Sequence, residues 1–131
     1  MEIYTSYFAK AKELINAGIT PISIAIGPPR WWNGLRYTAL APTWDMVKGD
    51  IGRERYIKEY NDILAKLDAC AVLMEINSLA KGNDCALLCW EKPSDFCHRH
   101  LAAEWLNDNA GCFISEYKSN MKTVKHELSL F

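Results

Sequence analysis

The chain has 131 residues, 50% of them hydrophobic and 24% charged, with a formal net charge of -1. That mix belongs to a globular chain with a core of its own, and the length suits one domain better than two. It disfavours a disordered segment and a broad, sequence-independent grip on nucleic acid, which needs a basic surplus.

Ile3-Tyr4-Thr5 reads as a short first strand, and Phe8 to Ala17 as a helix stopped by Gly18. Pro21 to Ile26 is a second strand whose apolar density implies burial on both faces. Gly27-Pro28-Pro29 ends it, since proline has no amide hydrogen for a ladder. Arg30 to Pro42 is irregular and rich in aromatics and arginines. Thr43 suits the cap of a short helix through Val47. Arg53 to Leu67 has helical spacing of Tyr56, Ile57, Tyr60, Ile63, Leu64 and Leu67, with the two tyrosines read as core. A further helix spans Asp68 to Lys81. Asp84 to Trp90 is the clearest buried strand, followed by the polar loop Glu91-Lys92-Pro93-Ser94 and a helix from Asp95 to Leu106. Cys112 to Ser115 suits a last strand, and the tail after about residue 117 shows no clear element.

Helices alternating with buried strands imply an α/β fold: one three-layer domain over 1–131, with a small, largely parallel sheet flanked by helices. No apolar run approaches the ~20 residues of a membrane span. The start, Met1-Glu2-Ile3-Tyr4, lacks the pattern of a secretory signal. Five cysteines, an odd number without such a signal, favour a reducing compartment, so the expectation is a cytoplasmic protein. Cys70, Cys85 and Cys112 read as packing thiols.

In parallel sheets ligands sit beyond the carboxyl ends of the strands. Two segments then meet the chemistry: the loop after the second strand, and Cys89 to His100. If Ser94 or Asp95 caps the helix, Cys97, His98 and Arg99 fall in its first turn, where free amides and the dipole favour negative charge. Four readings stay open. Cys89 and Cys97 are plain core residues; or the turn binds phosphate or carboxylate; or Cys97 or His98 acts as nucleophile or general acid/base. Last, Cys89, Cys97 and His98 are three metal ligands, a reading disfavoured because no Cys-x-x-Cys pair is present. No metal or cofactor is therefore assigned.

Leu87-Leu88-Cys89-Trp90-Glu91-Lys92-Pro93, then Cys97-His98-Arg99 and Leu101-Ala102, resembles the signature of the domain of unknown function 488 family. Leu40-Ala41-Pro42, Tyr56-x-x-x-Tyr60 and Pro29-Arg30 resemble upstream blocks of that family, while Ala25-Ile26-Gly27 departs from its usual Asp-Val-Arg type of strand end. The resemblance implies an α/β cytosolic protein of bacteria, archaea or phages, and no established reaction.

Arg30, Trp31, Trp32 and Arg36 add flat aromatics and guanidinium groups suited to bases and phosphates. Packing against the sheet end is the competing use of those tryptophans. The expectation is binding of a phosphorylated, base-containing ligand, a nucleotide-like molecule or a nucleic-acid end. Arg30, Arg36 and Arg99 would meet anions, Trp31 or Trp32 would stack, and Cys89 and Glu91 would border the site. His98 would hydrogen-bond toward Cys89 or the Glu91 loop. Two alternatives remain: an enzyme using Cys97 and His98 on a nucleotide-like substrate, and a phage or host interaction protein without catalysis.

Overall fold

The computed structural model describes residues 1–90 and 96–119. Five strands form one sheet: β1 (Ile3–Tyr7), β2 (Thr20–Ser23), β3 (Leu35–Arg36), β4 (Cys85–Cys89) and β5 (Ser115–Glu116). Their order is β3-β2-β4-β1-β5, and every pairing is parallel. The α/β expectation therefore holds, with helices on both faces of a parallel sheet. Among the described residues, no helix is long and apolar enough to cross a membrane.

The centre of the sheet is β4, all five of whose residues are buried. Successive side chains of a strand point to opposite faces. Cys85 and Leu87 accordingly pack into one apolar cluster with Ile22, Tyr60, Leu64, Ile76 and Leu106, while Ala86 and Leu88 pack into another with Tyr4, Phe8 and Leu14. Burial of a leucine of this kind contributes about 1.5–3 kcal/mol. The first cluster is covered by α3 (Arg53–Ala65), α4 (Ala69–Leu79) and α5 (His98–Ala110); α1 (Ala11–Asn16) covers the second.

The sequence also explains the helix ends. Thr43 caps α2 (Trp44–Lys48) by accepting from the Met46 amide at 3.2 Å. Asp68 caps α4 by accepting from the Cys70 amide at 3.0 Å. Gly18 and Gly111 lie at φ +79° and +68°, where a side chain would be strained, and close α1 and α5.

Several boundaries differ from expectation. Phe8–Lys10 is a 3-10 turn that leads into a shorter α1. The strand expected to reach Ile26 ends at Ser23, although the Ile24 amide still bonds to Leu88 O at 3.0 Å. The irregular stretch contains β3, too short to carry a period-2 signal. The last strand falls at Ser115–Glu116, and α5 runs on to Ala110. Tyr60 is buried as expected, its hydroxyl donating to Leu40 O at 2.7 Å. Cys70 is exposed, because it falls on the outer side of α4, and is not a packing thiol.

Candidate functional site

Cys89 ends β4 and Cys97 immediately precedes α5, so the chain brings both thiols to the carboxyl edge of the sheet. Their sulfurs are joined as a disulfide across a Cα separation of 7.1 Å. Both residues are buried. Cys97 occupies the cap position with extended backbone and no side-chain cap bond, so it lies one residue outside the first turn in which it was expected. Ser94 and Asp95, the caps first considered, lie outside the described residues, as does Glu91.

His98 opens α5 and is buried beneath the cavity described below. Its Nε2 lies 2.7 Å from Ile24 O, so that nitrogen carries the hydrogen and donates to the carbonyl. The lone pair is left on Nδ1, which lies 3.8 Å from Cys97 Sγ. The expected partner of His98 was Cys89 or the Glu91 loop; the actual anchor is the end of β2, because residue 98 turns inward across the strand ends. Burial pushes His98 down to about 4, helped by the charge of Arg99. Its imidazole is neutral at pH 7.

Arg99 departs furthest from expectation. Its side chain is 0% exposed, and its fork is filled by the protein's own carboxylate. Nε donates to Glu116 Oε1 at 3.0 Å and Nη2 to Oε2 at 3.1 Å. Nη1 donates to Cys89 Sγ at 3.0 Å, and the guanidinium lies over the Tyr7 ring. Glu116 also accepts from Thr5 Oγ1 at 2.7 Å and lies 3.1 Å from His100 Nε2. Arg99 therefore braces α5 against β1, β4 and β5 and is not presented to an external anion. A guanidinium donating to sulfur stabilises negative charge there.

A cavity of about 290 Å³ opens beyond the ends of β2 and β4. Cys89, Cys97 and His98 line it together with Ala25, Ile26, Gly27, Trp44, Tyr56, Trp90 and Phe96. Trp90 ties its two sides together, its indole donating to Gly27 O at 2.8 Å. Tyr56 meets Phe96 edge to face at 5.3 Å. Phe96 in turn lies under the Arg53 guanidinium, 4.8 Å from the ring centre.

The second expected segment lies beside this cavity and not in its wall. Arg30 is exposed and Trp31 is 61% exposed. Trp32 packs on Phe8 at 5.3 Å and donates from its indole to Leu35 O at 3.2 Å, which occupies it in packing. Arg36 reaches the rim, donating to Ile26 O at 3.3 Å. The structure thus unites Cys89, Cys97 and His98 and leaves Arg30, Trp31, Trp32 and Arg36 outside the lining, Arg36 touching it only through its bond to Ile26 O. Trp44, Tyr56, Phe96, Arg53 and Glu116 drew no notice in the sequence as site residues. Only Tyr56 stood out there, as a core residue on its helix.

The ligand atoms of Cys89, Cys97 and His98 all lie within 4.8 Å of one another, two of them being the sulfurs of the disulfide, so one metal ion can meet all three only when that bond is reduced.

Residues 21–110 match the model of the DUF488-N3a family, described as the active DUF488-N3 subclade. The matched span contains Cys89, Cys97, His98 and Arg99, and the chain belongs to this family. No curated protein and no solved structure matches the chain.

Proposed function

We propose that this member of the family is an enzyme that takes a flat, nucleotide-like substrate into the strand-end cavity and acts on it with the cysteine–histidine cluster in its wall. The observation that carries the reading is the convergence of Cys89, Cys97 and a neutral His98 on one cavity ringed by Trp44, Tyr56, Trp90 and Phe96. Aromatic walls favour a planar ring, and thiols and imidazole are the side chains of nucleophilic and acid/base chemistry. The cavity's about 290 Å³ stands at the low end of small-molecule sites, which suits one base or nucleoside. Phosphate would remain at the rim, within reach of Arg36 and Arg53, both exposed. On this reading recognition is divided between ring and anion, with Arg36 and Arg53 taking the anion in place of the buried Arg99.

Calorimetry with a panel of bases, nucleosides and nucleoside monophosphates tests it. Binding should need the ring, and Arg53→Ala and Arg36→Ala should each weaken monophosphate binding roughly 3- to 10-fold, with nucleosides unaffected. Absence of binding across the panel to the reduced and the oxidised protein refutes the proposal.

A further inference from the structure

We infer that the reduced form of this cluster is a metal centre, in which Cys89, Cys97 and His98 hold one zinc-class divalent ion with its fourth position open to the cavity. The inference deepens the reading of the cavity given above by naming what would activate its chemistry. Two thiolates and an imidazole are a soft-to-borderline donor set of the kind that selects zinc among the common divalent ions. Zinc about 2.3 Å from sulfur and about 2.0 Å from nitrogen sets its ligand atoms roughly 3.5–4 Å apart. Cys97 Sγ and His98 Nδ1 are already 3.8 Å apart, and all three ligand atoms lie within 4.8 Å.

Three further features fit a built centre. The Cα atoms of Cys89 and Cys97 stand 7.1 Å apart, beyond the range disulfides usually span, and reduction would free both sulfurs to turn toward a common ion. His98 is oriented by its Nε2–H bond to Ile24 O, which directs Nδ1 at the cluster; metal-binding histidines characteristically donate their other ring hydrogen in this way. Arg99, held by Glu116, donates to Cys89 Sγ and would offset thiolate charge from outside the ligand set. On binding, each thiol gives up its proton to solvent, so one ion displaces two protons and no electron moves. Because all three residues line the cavity, the remaining position faces the space where a substrate or water would lie.

The test uses the full chain, reduced with a phosphine and titrated with Co²⁺ under argon. One Co²⁺ per chain is expected, with sulfur-to-cobalt charge transfer in the near ultraviolet, strong tetrahedral d–d bands, and displacement by Zn²⁺. Cys89→Ser and Cys97→Ser should each weaken binding at least ~100-fold, and His98→Gln should weaken it while keeping sulfur bands. Cys70→Ser and Cys112→Ser should leave the spectrum unchanged. Should a variant fail to fold, the wild type still decides: Zn²⁺ should protect Cys89 and Cys97 from alkylation, mapped by mass spectrometry. No sulfur-to-cobalt absorption, no protection, or bands that survive in a folded Cys89→Ser/Cys97→Ser variant would overturn the inference. Base binding is measured separately on the metal-free protein, so the two readings fail independently.

Discussion

Removal of the Glu116 carboxylate should destabilise the protein by far more than a typical change at a half-buried position. Arg99 is fully buried, and Glu116 takes two of its donors at 3.0 and 3.1 Å. Glu116→Ala takes this carboxylate away from the buried guanidinium. Breaking a buried pair in this way costs about 3–5 kcal/mol, and the 17% exposure of Glu116 places the effect near 3 kcal/mol. For a chain of this size that is a drop in Tm of about 10 °C. The Thr5 hydroxyl also loses its acceptor, whereas Glu116→Gln keeps an oxygen for it and should cost less. Urea denaturation followed by circular dichroism measures both variants. A loss below about 1 kcal/mol for Glu116→Ala would refute the view that Arg99 is a brace satisfied by this carboxylate.

Tyr60→Phe removes the donor to a buried carbonyl, Leu40 O, and should cost about 1–3 kcal/mol in the same assay. Gly27→Ala would set a methyl 2.5 Å from the half-exposed Trp44 ring, so the ring should swing; calorimetry should show several-fold weaker ligand binding while stability changes by less than about 1 kcal/mol. Burial and the bond to Glu75 push Tyr37 up to about 12. The folded state then holds this proton more tightly than the unfolded chain, so stability is complete below pH about 10 and falls as pH rises toward 12. Tyr37→Phe should flatten that fall in denaturation curves taken from pH 9 to 12, and an unchanged slope would contradict the assignment.

The features of the site legible in the sequence are those encoded locally. The run Cys85 to Cys89 is apolar throughout and declares a strand buried on both faces. The Cys97-His98-Arg99 step after it marks the strand-end turn, and the two cysteines and histidine do meet there. What the sequence hid depends on register across the sheet. Glu116 reaches Arg99 because β5 pairs in parallel beside β1, with Thr5 opposite Glu116. A two-residue strand carries no periodic signal for that pairing. Arg99 was therefore read as awaiting an anion when the fold already supplies one. Trp31 and Trp32 drew attention by composition, yet Phe8 and the Leu35 carbonyl engage Trp32 beside the cavity. Trp44 and Phe96 enter the wall because α2 and the residues just before α5 close over the ends of β2 and β4, a contact between distant segments.

The most direct test of the account is a crystal structure of the reduced protein with the tightest-binding member of the base, nucleoside and monophosphate panel. The account predicts the planar ring among Trp44, Tyr56 and Trp90, with ring atoms within about 4 Å of Cys89 or Cys97 and any phosphate directed toward Arg36 or Arg53. A cavity without the ring, with the ligand stacked instead on exposed Trp31 or held elsewhere on the surface, would contradict it.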